Sequence, residues 1–160
     1  MKEKNGEHPF GDAGQLISVG VFLAVWVADS FFLHISTFLS GYVPLYIRLV
    51  ILSLALIIAI YHFRSGHVVI SGKQRPNSVV ATGAFRYVRH PLYLASLLTY
   101  LGMIVSTLSL FSFAVFIGIL VFYNYIASYE EKLLEAKFGE DYKNYKKRTG
   151  KWLPGIGQEG

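Results

Sequence analysis

From Pro91 to Tyr129 the chain runs 39 residues without one Asp, Glu, Lys or Arg. As a helix rising about 1.5 Å per residue, that run reaches roughly 58 Å. A bilayer's hydrocarbon is only about 30 Å thick. The run therefore reads as a hairpin of two crossings, Pro91–Ser106 and Leu110–Tyr129. The turn falls at Ser106-Thr107-Leu108-Ser109, where small polar residues cluster. The first arm is short for a span, which suits a helix that is tilted or partly covered by protein. Composition agrees: the 160 residues are 53% apolar and 16% charged, against about 25% charged in soluble domains.

Two further spans lie upstream. Gly14–Ile35 holds a single charge, Asp29, and Pro44–Phe63 holds only Arg48. Pro44 suits a first helical turn, where its missing N–H costs little. A cleaved signal peptide is the competing reading of the first segment. Its apolar region is too long for one, its leading charges are mixed, and no small-residue cleavage site follows. The absence of cysteine excludes disulfides, a thiolate metal site and a catalytic thiol.

The charges set the topology. The loop from Arg64 to His90 holds Arg64, Lys73, Arg75, Arg86 and Arg89 and no acid, and the tail from Glu130 holds seven Lys/Arg and six acids. The short turns near Ser40 and Ser106 carry no charge. Positive charge marks the cytoplasmic side, so four spans put both termini, the basic loop and the tail there. The net charge of +5 is then largely topological, and nucleic acid is a poor partner. In the tail, Leu134, Phe138, Tyr142 and Tyr145 recur on one helical face, predicting an amphipathic helix over Tyr129–Lys147. Gly139 interrupts it or caps a first half. Such a helix lies on the membrane interface or folds back over the basic loop. The fold class expected is all-α: four spans and a C-terminal amphipathic helix, in one membrane-embedded domain over 1–160. There is no internal repeat of the solenoid or transporter kind.

Reactive residues are densest at Arg86-Tyr87-Val88-Arg89-His90-Pro91-Leu92-Tyr93, where the loop enters the third span. Pro91 at a first helical position defines the helix start, whose free N–H groups and dipole suit a carboxylate or phosphate. The bland reading is head-group contact by Arg and an aromatic belt for Tyr. Glu130-Glu131 sit where the last span meets the tail, on the same side as Arg89 and His90. Acids at such a boundary are commonly just solvated. An anion-binding helix start beside two carboxylates also suits a zwitterion, such as a methyl donor with an amino-acid tail.

The segment Thr82-Gly83-Ala84-Phe85-Arg86-Tyr87-Val88-Arg89-His90-Pro91-Leu92-Tyr93 resembles the donor-binding motif of the isoprenylcysteine carboxyl methyltransferases, relatives of the phospholipid methyltransferases. An apolar hairpin follows, then Glu130-Glu131-Lys132-Leu133-Leu134, Phe138-Gly139-Glu140-Asp141-Tyr142, Tyr145 and Lys147-Arg148-Thr149-Gly150-Lys151-Trp152-Leu153-Pro154. The resemblance covers about Val80 to Pro154. It implies S-adenosylmethionine as cofactor and methylation of a small lipophilic acceptor at the membrane, a carboxyl O-methylation above all. It also implies a cofactor region of residues 80–93 and 130–154. Within it, His90 and Tyr93 meet the donor's amino-acid portion, with Arg89 and Pro91 beside them. Glu130 and Glu131 take its ammonium or ribose, and Thr82, Gly83, Phe85 and Tyr87 lie toward the adenine. Arg148 sits near the reacting methyl, and His90 or a Glu is the candidate where a base is needed. Two positions depart from the family pattern: Ala84 stands where proline is common, and Ala95 where glycine is.

Methyl transfer is an in-line displacement on an already activated donor, so alignment is the enzyme's main contribution. A carboxylate acceptor needs no base, whereas an amine or hydroxyl does. Asp29, inside the first span, is a functional candidate by default; a structural pair with Arg48, or snorkelling, is the expected reading. His62 and His67 lack metal-site spacing and read as interfacial, so no metal is expected. The rival functions are phospholipid amine N-methylation, an NADPH-dependent membrane reductase, and a non-catalytic transporter or scaffold.

Overall fold

A computed structural model describes residues 11–70 and 78–155. Lys73 and Arg75 of the basic loop, and the charges before Gly11, lie outside the described residues. The described chain is helical: α1 Gly11–Val27, continued by a π-helical turn Ala28–Leu33; α2 Leu45–Ile70; α3 Pro91–Thr107; α4 Leu110–Phe138; and α5 Glu140–Arg148. Short 3₁₀ turns cover Phe38–Gly41 and Gly83–Arg86.

Three segments are long and apolar enough to cross a membrane, Ala13–Leu33, Leu45–Val68 and Leu110–Phe138. Their outward side chains are large and apolar: Leu54, Ile57 and Val121 are more than half exposed. Such a surface is stable against hydrocarbon and not against water. Pro91–Thr107 is shorter, at 17 residues or roughly 25 Å. It is also the most enclosed helix, with Tyr93, Ala95, Leu97, Tyr100, Gly102 and Ile104 buried. Protein covers what its length would leave exposed at the bilayer faces.

The core joins α1, α3 and α4 through Phe22, Tyr93, Leu97, Tyr100, Phe116, Tyr123 and Ile126. α2 packs on α3 along Leu52, Ala55, Ala59, His62 and Gly66, a stripe at spacings of three and four. Small residues let the backbones approach. A Cβ on Gly66 would meet Leu92 at 3.1 Å, and one on Gly102 would meet Ala55 and Leu52 at 3.1 Å.

At the end of the bundle away from the basic loop, Asp29 is buried and accepts from the Ser36 N–H (3.0 Å), the Ser36 hydroxyl (2.5 Å) and the Ser109 hydroxyl (2.6 Å). The expected Asp29–Arg48 pair does not form. Arg48 donates instead to the Val43 and Ser106 carbonyls. The Ser109 hydroxyl at the α3–α4 turn and the Ser36 hydroxyl before α2 reach the carboxylate, while Arg48 caps the last turn of α3 at the Ser106 carbonyl.

In the tail, the interruption expected at Gly139 is present, dividing Tyr129–Lys147 between two helices. α4 passes through the expected membrane boundary without a break and ends at Phe138. Gly139, at φ +57°, turns the chain, a conformation that costs glycine little. α5 then folds back over the loop, burying Tyr142 and Tyr145 while Leu134 and Phe138 are only partly covered.

Candidate active site

The site starts from the loop before α3. Gly83 adopts φ +59°, and a Cβ there would press on the Ser65 hydroxyl at 2.6 Å. The next residue uses that hydroxyl: the Ala84 N–H donates to Ser65 Oγ at 2.7 Å. Proline at 84 would lack this donor, which gives the departure at Ala84 a local reason. Ala95, the other departure, is 4% exposed and buried against its neighbours. The loop ends at Val88, which forms a parallel bridge with Gly150, and the Arg89 N–H donates to the Gly150 carbonyl at 2.9 Å.

Four elements converge at this point. Arg89 Nε lies 2.9 Å from Glu131 Oε1, and the guanidinium also donates to the Lys146 carbonyl at 3.2 Å and to the Thr149 carbonyl. His90 Nε2 is 3.1 Å from the same Glu131 oxygen, and its Nδ1 faces Glu130 Oε2 at 3.8 Å. The Tyr93 hydroxyl donates to Glu130 Oε1 at 2.8 Å. Lys146 closes the far side, 2.6 Å from Glu135 and 3.5 Å from Glu131. The Arg89 and Glu131 side chains are only 11% and 8% exposed. A buried pair of this kind is costly unless its remaining lone pairs and protons are satisfied, and here each partner has further bonds.

Electrostatics follow from this packing. Burial holds His90 below the ordinary histidine pKa of 6.5, against the opposing pull of Glu131. Lys146 is raised by its bond to Glu135. Burial lowers Lys151 and pushes the Tyr145 phenol up to about 12. Tyr145 is thus a neutral donor, and it gives its proton to the Phe85 carbonyl at 2.6 Å.

Of the residues expected from the sequence, the structure brings Arg89, His90, Tyr93, Glu130 and Glu131 into one cluster, with Pro91 buried at the start of α3. Phe85 joins through its carbonyl. Thr82, Gly83 and Tyr87 are exposed beside it. Arg148 stands on the exposed face of α5, its guanidinium 3.4 Å from the Asn144 carbonyl.

The segment after Arg148 falls in the expected cofactor region, but the sequence gave its single residues no contacts. Lys151 donates to Asn124 Oδ1 at 2.8 Å and to Ser128 Oγ at 2.7 Å, tying the tail to α4. Trp152 places its ring 5.8 Å from the His90 ring. Gly150 permits the turn between them, since a Cβ there would lie 1.9 Å from the Leu153 carbonyl oxygen. Arg-Thr-Gly-Lys-Trp carries no periodicity that would have shown these contacts. His62 is buried in the α2–α3 seam and His67 is exposed on α2. Among the described residues no group of three or more His, Asp and Glu is placed to hold a metal ion.

The same residues carry the family assignment. The phospholipid methyltransferase family matches residues 37–141, about two-thirds of the chain, and takes in the whole cluster on α3 and α4. That family includes the isoprenylcysteine carboxyl methyltransferases that the sequence resembles. Comparison with curated proteins and with solved structures gives no match. With three membrane-crossing helices, a fourth enclosed apolar helix and this match, the chain belongs to the phospholipid methyltransferase family and is an integral-membrane methyltransferase.

Proposed function

We propose that this chain moves the methyl group of S-adenosylmethionine to a lipophilic acceptor, by carboxyl O-methylation of an isoprenylcysteine-like compound. One observation carries the reading. Two acids at the end of the last span are held against the start of α3 by Arg89, His90 and Tyr93, in a buried cluster roofed by the tail. The donor set fits the cofactor. Glu130, which accepts from the Tyr93 hydroxyl, is the acid for its ammonium or ribose hydroxyls, and the first turn of α3 supplies N–H groups for its carboxylate. Trp152 and Phe85 offer apolar surface, with Thr82, Gly83 and Tyr87 at the rim. S-adenosylmethionine supplies an activated methyl on a sulfonium sulfur.

The remaining work belongs to the chain's own residues. Glu131 and Arg89 hold α4, the loop and the tail in register. A carboxylate acceptor brings no proton to remove. Arg148, on the exposed face of α5, is the cation for steering an anionic acceptor. Positive charge on the loop and tail puts this end, and both termini, on the cytoplasmic side. A soluble donor then arrives from the cytoplasm and the acceptor from the bilayer. Phospholipid amine methylation is the second reading, favoured by the family matched. It needs a base, and His90, kept neutral by burial, is the group for it.

The test is calorimetric titration of S-adenosylmethionine, with NADPH in parallel, into detergent-purified wild type, Tyr93→Phe and Glu130→Gln. Wild-type binding of the donor that each variant weakens about tenfold or more is the expected result. A folded wild type that ignores the donor sinks the proposal, and a response to NADPH promotes a reductase.

A further inference from the structure

After α5 the tail is fastened to a span. Lys151 Nζ donates to Asn124 Oδ1 at 2.8 Å, to the Asn124 carbonyl at 3.2 Å and to Ser128 Oγ at 2.7 Å. The Trp152 indole N–H reaches Asn124 Oδ1 at 3.4 Å. Asn124 lies six residues before Glu130, inside the uncharged run of α4. At about 1.5 Å per residue, that is roughly 9 Å from the acid pair toward the bilayer centre. Trp at this level suits the membrane interface, and a Lys stem crosses apolar surface with its charge at polar partners.

Leu153 follows at nearly the same depth and is 76% exposed. Val121 and Tyr125, at that level of α4, are exposed as well. Together they continue the lipid-facing surface of the span onto the tail, an apolar surface that water does not favour.

Charge points the same way. α4 carries the chain off the membrane to Phe138, and α5 comes back after Gly139. α5 begins on Glu140 and Asp141 and ends on Lys146, Lys147 and Arg148. Its acids therefore stand farthest from the bilayer and its bases nearest. Lys146 is taken up by Glu135, while Lys147 and Arg148 are exposed. From Tyr142 to Gly155 there is no acid. An anionic leaflet attracts such bases, each worth about fivefold in binding.

We infer that the tail end, Lys147 to Pro154, is a docking surface for anionic phospholipids of the cytoplasmic leaflet. Leu153 enters the boundary between head groups and acyl chains beside α4, and Lys147 and Arg148 lie among the phosphates. The same segment is tied to the cluster through Gly150 and carries Trp152 to His90. The bilayer thus holds down the roof of the site from outside. The inference does not depend on what the site catalyses.

Quenching by spin-labelled lipid tests it. The chain has no cysteine, so Leu153→Cys and, as reference, Asp141→Cys each take one nitrobenzoxadiazole label. The full chain is reconstituted in phosphatidylcholine nanodiscs, with phosphatidylglycerol added in steps. A nitroxide at the head-group end of the acyl chain should quench the label at 153 and spare the label at 141. Quenching at 153 should grow as phosphatidylglycerol is added, and Lys147→Gln should shift that dependence about fivefold, the share of one base. Tryptophan-fluorescence melts check that each variant folds; should Leu153→Cys fail, Pro154→Cys carries the label. A label at 153 that escapes the nitroxide, equal quenching at 141, indifference to phosphatidylglycerol, or a Lys147→Gln response like that of wild type overturns the inference.

Discussion

Replacing Arg89 with Met keeps the stem and removes the guanidinium. Three acceptors then lose their donor together: Glu131 at 2.9 Å, the Lys146 carbonyl at 3.2 Å and the Thr149 carbonyl. With Arg89 and Glu131 at 11% and 8% exposure, water does not step in freely. Stripping one partner from a buried pair costs about 3–5 kcal/mol, and each orphaned carbonyl adds to that where it stays dry. The least expected loss is therefore about 3 kcal/mol, a fall of roughly 6–12 °C in Tm for a chain of this size. The double variant Arg89→Met/Glu131→Leu removes the stranded carboxylate and should recover part of the loss, while donor binding stays abolished. The assay is thermal unfolding in detergent, followed by tryptophan fluorescence. The chain has two Trp; in a Trp26→Phe background the signal is that of Trp152, whose ring lies tilted 5.8 Å from that of His90. A shift below about 2 °C, or a double variant no more stable than Arg89→Met, would refute the view that this ion pair is the clasp of the site.

His90 makes stability depend on pH. Its folded pKa lies below the ordinary 6.5 because burial disfavours the charged ring. Below about 6.5 the unfolded chain binds the extra proton, so stability rises with pH through that window and falls as pH drops. Melts at pH 7.5 and 5 should differ more for wild type than for His90→Gln, and equal slopes would contradict this origin. Gly150→Ala should cost more than about 2 kcal/mol, since its Cβ would meet the Leu153 carbonyl at 1.9 Å and backbone must move. Limited trypsinolysis at Lys147 and Arg148 should accelerate with it, and an unchanged rate would mean that the tail is not clamped there. Asp29→Asn strands hydroxyls that now donate to a carboxylate and should cost about 1.5–3 kcal/mol. S-adenosylmethionine affinity should stay within about twofold, because Asp29 lies at the opposite end of the bundle from the charged cluster; a larger change would make Asp29 part of the active machinery.

The spans were legible because hydropathy is local and additive. A run without charges is apolar whatever it packs against, so the starts of the four apolar helices could be read within a few residues, while α2 and α4 run on past the expected Phe63 and Tyr129 to Ile70 and Phe138. Pro91 and Gly139 were legible as a helix start and a break because ring constraint and positive φ belong to single residues. The five side chains of the cluster could be named from their motif. Which carboxylate each one meets could not, since Arg89 and Glu131 are 42 residues apart and meet only once α3 and α4 have packed. Only the tertiary structure decided that Asp29 answers to serines instead of Arg48, that α5 turns back to roof the loop, and that Lys151 ties to α4 while Trp152 lies near His90. Charge alone makes Asp29 and Arg48 attractive partners, but a buried group bonds to whatever donor the packed helices bring within about 3 Å, and that is a property of the assembled bundle.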